Sequence, residues 1–396
     1  MLDDTTQDAG QTLAGGDSLV PARVGVTAIF FANGLAIGAW AVAIPQVKTL
    51  FALSDGGLSL ILLAAGVGAI AAMPVAGLLP ARIGGTGRTL RFSGPFSAVM
   101  LAALPAMSAL PAPVVALAVC AFLFGVANIL VDVPMNAHAS VIERGWGRAI
   151  MSSFHAAWSA GGLIGGAIGG LLISAGATPL GQLGVEGALC FAIAWGGSLR
   201  IGVGDRHAHG TTFALPHGRL ITLAIIALLA VFAEMSVTDW SALYLRSELG
   251  ASAGAAAAGY SAYAFMMFLG RALGDSFVRR LGGATVIVAG ALAILVGAGL
   301  AVGLATPIAA IVGFCLIGLG VANMVPAVFS ASASAAPSPS IGVATAASMA
   351  YTAGLISPPL FGAVASAASL RAAFTLVIAA ALAIAVLATR GRRGAR

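Results

Sequence analysis

Charge is what this chain has least of. Only 8% of its 396 residues are Asp, Glu, Lys or Arg, against roughly 25% in a soluble domain. With 60% hydrophobic residues and a mean hydropathy of +1.03, a water-soluble core is excluded and a multi-pass membrane protein is implied. Cysteine is also scarce. Cys120, Cys190 and Cys315 each sit in an apolar run, with no CxxC and no Cys/His cluster, and the five histidines make no HxxxH pair. A disulfide framework and a metal site are therefore not expected. No nucleophile–base motif or nucleotide loop stands out. The run GGLIGGAIGGLL at Gly161 has no lysine, follows no strand and lies within an apolar span, so it reads as a close-packing surface. An enzyme is not expected, nor any cofactor beyond a proton gradient as driving force.

The formal charge of +6 and pI near 9.9 do not point to nucleic acid, because the basic residues lie in short loops between spans. Twelve spans are predicted, at 24–46, 57–79, 92–110, 113–141, 149–175, 181–202, 219–244, 253–274, 284–304, 307–332, 341–366 and 371–390. With the N-terminus inside, sixteen basic residues fall on inner segments and only Lys48, Arg246 and Arg371 on outer ones. That bias puts both termini in the cytoplasm. Residues 1–19 are polar and lack a signal peptide's basic start and cleavage site, so they read as a cytoplasmic tail. The expected division is a tail and six-helix bundle over 1–203, a cytoplasmic linker over 204–218, and a second six-helix bundle with a basic tail over 219–396. The linker's His207, His209 and His217 read as solvated.

The chain repeats itself. CAFLFGVAN begins at Cys120 and CLIGLGVAN at Cys315, an offset of 195. ARIGG at Ala81 resembles RRLGG at Arg279. SSFHAAWSAGG in span five aligns loosely with ASMAYTAGLIS in span eleven, setting His155 opposite Tyr351. Blocks in the same order, in halves with an even number of spans, make a parallel repeat about an axis along the membrane normal. The polar stripe Asn128, Asp132, Asn136, spaced by four on span four, is not doubled: Ala327 and Ala331 stand at the positions equivalent to Asp132 and Asn136.

These features resemble the major facilitator superfamily. Gly77, Leu79, Arg82, Gly84 and Arg88 fit the family's loop signature, with Ala81 where an acid belongs. Gly270, Arg271, Gly274, Asp275, Arg279 and Arg280 keep the second copy better. FFANGLAIGAWAVAIPQVK, the NxxxDVPMN run, MSSFHAAWSAGG and AEMSVTDWSALYLR resemble a bacterial inner-membrane subgroup near the fucose–proton symporter. The resemblance implies an all-α fold of twelve transmembrane helices in two pseudo-symmetric bundles. It also implies transport of a small solute by alternating access. Acids in spans one and four serve proton coupling and sugar binding in the fucose type. Here span one offers Asn33 and span four Asp132.

An acid within hydrocarbon costs several kcal/mol, about 2.5–3.5 on insertion scales, and normally faces a cavity. Asp132 and His155 are expected at similar depth on adjacent antiparallel helices, where they could share a proton. Glu234 is the one carboxylate deep in the second half. These three are the proton-coupling candidates, against the plain alternative of polar contacts that pin helices. Asn33, Asn128, Asn136 and Asn323 suit sugar hydroxyls because an amide donates and accepts; as repeat equivalents, Asn128 and Asn323 equally suit helix packing. Trp158, Tyr260, Tyr263 and Tyr351 offer ring faces and, with Glu234, complete the substrate candidates. Arg82, Glu143, Arg148, Arg271, Asp275 and Arg279 form a candidate cytoplasmic gate, although topology alone accounts for most of them. Asp239 and Glu186 read as interfacial.

The expected function is a proton-coupled transporter of a small polar solute such as a sugar, acting as a monomer in the bacterial inner membrane. Its partners are the solute and the lipid bilayer, not nucleic acid. An exporter of drugs or metabolites by proton antiport, and a non-transporting receptor or scaffold, are the alternatives.

Overall fold

Glycine decides which helices touch. In the computed structural model, which describes residues 16–146, 150–201, 218–335 and 339–393, helices lie against one another wherever glycines leave room. The first half comprises α1 (Gly16–Leu50), α2 (Asp55–Ile83), α3 (Thr86–Ala103), α4 (Pro113–Trp146), α5 (Met151–Ser174) and α6 (Pro179–Ser198). The second comprises α7 (Arg219–Leu243), α8 (Ala253–Leu281), α9 (Gly283–Leu304), α10 (Pro307–Val321), α11 (Met324–Ala335), α12 (Pro339–Ala367), the short α13 (Leu370–Ala373) and α14 (Thr375–Arg393). No strand occurs among the described residues. Eight of the described helices or helix pairs are long and apolar enough to cross a membrane, and large apolar side chains such as Leu171 and Ile308 point outward.

The halves pair their helices alike. In the first, α1 packs on α5 and α6, α2 on α4, and α3 on α6; in the second, α7 packs on α12 and α14, α8 on α10, and α9 on α14. A Cβ on Gly68 or Gly125 would run into the backbone of the facing helix at Phe122 or Ala65, and one on Gly318 would run into the backbone oxygen of Tyr263. With little hydrophobic force between helices in lipid, backbone approach of this kind supplies the packing.

The chain turns back at two ends, one carrying both termini and one far from them. Five of the helices that start at the far end are capped by hydroxyls: Ser54 for α2, Thr178 for α6, Ser252 for α8, Thr306 for α10 and Ser369 for α13. Each oxygen takes an amide hydrogen that the first turn leaves unpaired. At the termini end, the turn after α2 uses Gly84 at φ 94° and that after α8 uses Gly282 at φ 78°, a conformation that disfavours side chains. These are the two GG motifs of the repeat.

Two spans differ from expectation. Predicted span ten is broken at Ala322–Asn323 into α10 and α11, and span twelve into α13 and α14. Helix α4 runs on to Trp146, past the apolar run at whose end the span was expected to stop, because Glu143 remains helical and bonds forward. The expected linker lies outside the described residues save Gly218, as does most of the expected N-terminal tail.

Candidate functional site

The two halves meet along two ladders. On one, α5 faces α8: a Cβ on Gly254 would stand 2.5 Å from Ser174 Oγ, one on Gly170 2.8 Å from Ala257 Cβ, and one on Gly166 2.7 Å from Tyr260 Cδ1. Glycines 161 and 165, a hundred degrees round the same helix, seat the backbone of α1 at Phe31 and Leu35 instead. The glycine run of span five therefore has two faces, one for each half. On the other ladder, α2 faces α12: Ser59 Oγ donates to Pro358 O at 2.6 Å, and a Cβ on Gly66 would stand 2.6 Å from Gly354 O.

Each ladder ends, going from the far end toward the termini, in a polar bond. Among the described residues three hydrogen bonds join the halves: Ser59 to Pro358, Arg271 Nη1 to Ser159 Oγ at 2.9 Å, and Tyr351 Oη to Asp132 Oδ2 at 3.0 Å.

Arg271 is the node of the first ladder. Its guanidinium also lies 3.6 Å from Glu234 Oε1, and its Cζ is 5.4 Å from the centre of the Trp158 ring, within cation–π range. Both Arg271 and Glu234 side chains are 17% exposed. Trp158, Ser159, Glu234, Tyr260, Tyr263 and Met267 line one small cavity here, about 10 Å³ counted to the centre of a water molecule, the space one water needs. The Tyr260 and Tyr263 rings are 6.1 Å apart, and Tyr263 Oη lies 3.4 Å from Glu234 O. Four sequence candidates from three helices, α5, α7 and α8, thus share one pocket. Arg271 differs from expectation: it reaches across the middle of the molecule rather than serving a gate at the helix ends. Ser159 is a member that the sequence reading missed; only its place beside Trp158 could have signalled it.

Asp132 is the node of the second ladder. Besides Tyr351, it receives Asn136 Nδ2 on its backbone oxygen at 2.9 Å and on Oδ1 at 3.3 Å. The expected pairing with His155 is not formed. Asp132 stands fourteen residues before the end of α4, whereas His155 stands four residues into α5, a difference of about 15 Å along the axis at 1.5 Å per residue. His155 packs edge-on to Phe30, with ring centres 5.4 Å apart. The carboxylate's partner is Tyr351, the residue that the repeat sets opposite His155.

The remaining candidates divide by role. Asn33 is 7% exposed and holds the indole of Trp158, accepting from Nε1 at 2.8 Å, so it steadies the pocket wall without reaching the pocket. Asn323, at the break in span ten, donates to Gly270 O at 2.7 Å and fills the gap left by Gly274; its place is in helix packing. Asn128 Nδ2 is buried without a partner among the described residues. Of the gate candidates, Glu143 caps α5: its Oε2 accepts from the amides of Ile150 at 2.7 Å and Met151 at 2.6 Å. Arg279 donates to Ser276 at 3.2 Å, and Arg82 is exposed in the last turn of α2. Arg148 and the side chain of Asp275 lie outside the described residues. Glu186 and Asp239, expected at the interface, are 0% and 8% exposed; helices α1 and α5 cover the first, and α7 turns the second inward.

At the far end a wider cleft of about 690 Å³ opens between the halves, a volume that suits a small solute. Val42, Gln46 and Lys48 on the first half face Arg246 and Ala256 on the second.

The Major Facilitator Superfamily profile matches residues 26–355, and the chain belongs to that superfamily. It is 34% identical over 358 residues to an uncharacterized MFS-type transporter of Yersinia pestis, covering 90% of this chain and 92% of the relative. In structure it is similar to a mutant of the nucleoside transporter NupG, with TM-score 0.74 at 12% identity over 93% of this chain and 98% of that one. It is likewise similar to a variant of the Escherichia coli fucose:proton symporter FucP, with TM-score 0.64 at 18% identity over 94% and 98%. These likenesses establish the fold of twelve spans in two bundles, and the family evidence points to a transporter.

Proposed function

We propose that this protein is a proton-coupled secondary transporter that moves a small polar solute by rocking its two halves about the Arg271–Glu234 pocket. The observation that carries this reading is Tyr351 Oη on Asp132 Oδ2 at 3.0 Å: an acid within a span is bonded across the boundary between halves. The positive-inside bias puts the termini end in the cytoplasm of a bacterial cell. The ladders at α2/α12 and α5/α8 then join the halves beneath the outer cleft, and we read the state as inward-facing. Asp132 accepts a proton once its bond to Tyr351 opens, and the neutral acid no longer holds the halves together. Transfer of the proton is thereby tied to the change of state. Arg271 and Glu234 supply a donor and an acceptor, and Trp158, Tyr260 and Tyr263 supply ring faces. That set suits a hydroxylated ring, as in a sugar or nucleoside. The nucleoside and fucose transporters of like fold carry solutes of that kind.

The test is accumulation in proteoliposomes under an imposed pH gradient, with a panel of labelled sugars and nucleosides. Gradient-driven uptake that Asp132→Asn abolishes, while exchange of solute at equal pH survives, supports the reading. Uptake with an intact gradient response in Asp132→Asn overturns the role of Asp132. Solute leaving against the gradient would make the protein an antiporter, and no flux of any kind would make it a receptor or scaffold.

A further inference from the structure

Glu186 takes no part in either ladder, yet it is the least exposed carboxylate within the described spans, at 0%. It sits on α6 one turn after Gln182, also 0% exposed. Gln182 Nε2 donates to Glu186 Oε2 at 2.9 Å and to Ala39 O of α1 at 3.0 Å. Both partners are acceptors, which fixes the orientation of the amide. The result leaves Gln182 Oε1 and Glu186 Oε1 buried with no donor among the described residues. Two orphaned oxygens, one formally charged, thus lie on side chains one turn apart and bonded to each other in a bundle core.

No counter-charge is at hand among the described residues. Of the helices packed around Glu186, α1 carries Arg23 and Lys48, α3 carries Arg88 and Arg91, and α5 carries His155. Lys48 is nine residues beyond Ala39, about 14 Å along the helix, and is paired with Asp55. The others lie toward the termini end. On α6 itself the one other ionisable neighbour is Cys190, whose thiol donates to Ala32 O at 3.5 Å. An ionised carboxylate left alone in such surroundings costs several kcal/mol.

A route also exists. Gly169 of α5 is the point on which Val42, Gln182 and Glu186 converge: a Cβ there would stand 2.6 Å from Val42 Cγ2, 2.8 Å from Gln182 Nε2 and 3.2 Å from Glu186 Oε2. Val42 in turn lines the far-end cleft, so this side chain borders both the cleft and the surroundings of the pair.

We infer that Glu186 and Gln182 form a site for one small monovalent cation, a proton or a sodium ion, loaded from the far-end cleft past Val42. The cation supplies the positive charge that the two orphaned oxygens lack, and hard oxygen donors suit either ion. Its use as a second coupling site rests on the transporter reading; its occupancy does not, and is measured without any solute.

The experiment is infrared difference spectroscopy on the purified full-length protein in lipid nanodiscs, wild type minus Glu186→Gln, in choline and in sodium buffers across the stable pH range. A carboxylic C=O band in choline buffer, absent from E186Q and lost as pH rises, identifies a proton site. A carboxylate band that shifts with sodium chloride but not with choline chloride identifies a sodium site, accompanied by sodium-dependent thermal stabilisation that E186Q loses. An ionised carboxylate indifferent to sodium, or a C=O band that never responds to pH or sodium, overturns the inference. If E186Q does not fold, Gly169→Ala serves as the reference, since its added carbon intrudes on Gln182. The wild-type sodium titration of thermal stability and pH titration of the band then stand alone.

Discussion

Tyr351 and Asp132 are 219 residues apart in the chain and belong to opposite halves, yet the phenol donates to the carboxylate at 3.0 Å. Tyr351 is 38% exposed, so the donor side of this bond is accessible. A hydrogen bond to a charged group contributes about 1.5–3 kcal/mol when both partners are fixed. Exposure puts this one at the low end.

Tyr351→Phe removes that bond and leaves the carboxylate. The expected outcome is a shift of the resting population away from the far-end-closed state by about tenfold, since 1.4 kcal/mol is a factor of ten. Distances between spin labels on the far ends of α2 and α12 would lengthen. An unchanged distance distribution would show that the bond does not bias the halves.

Gly166→Ala tests the first ladder. Its Cβ would stand 2.7 Å from Tyr260 Cδ1 and 2.9 Å from Ser261 Oγ, contacts made only while α5 and α8 are together. Overpacking costs about 1–3 kcal/mol, here borne by one state and not the other. Label pairs on α5 and α8 should separate, while Gly162→Ala, whose Cβ meets Tyr260 Oη at 3.3 Å, should move them much less.

Arg271→Gln leaves Glu234 without its cation. Breaking a buried ion pair on one side costs about 3–5 kcal/mol, and the 17% exposure of each partner places this pair at or below the lower figure. The unfolding temperature should fall in Arg271→Gln and in Glu234→Gln, and recover in part in the double variant. Additive losses would show that the two groups do not interact.

Glu143→Ala strips the cap from α5 and should cost about 0.5–2 kcal/mol of stability, with Glu143→Gln intermediate because the charge at the helix start is lost while an acceptor stays. Thermal unfolding and hydrogen exchange at Ile150 and Met151 report it.

Hydropathy and the repeat were enough to read most spans and the two-bundle fold, because both are properties of the chain alone; the expected adjacency of spans four and five was not met, since α5 packs on α1 and α4 on α2. Depth was harder to read. Asp132 and His155 looked level when counted from the ends of apolar runs, but α4 continues for another turn past Val141, and its polar end is still helix. Glu186 looked interfacial by its place near the start of span six. Its burial depends on α1 and α5, which no local pattern encodes. Arg271 looked like part of a loop signature, and its long side chain carries it to Ser159 on another half. The aromatic group fared differently: Tyr260 and Tyr263 are three residues apart, which puts them on one helical face, and both line the same cavity in the fold.

The cap at Glu143 has a mechanical consequence. Helices α4 and α5 otherwise scarcely touch, yet this carboxylate ties the tail of one to the head of the other. Asp132 rides on the first and Ser159 on the second. A tilt of either helix therefore drags its neighbour, and the Asp132 and Ser159 fastenings, two of the three between the halves, loosen together as one clutch rather than in sequence. Half-released forms should be rare.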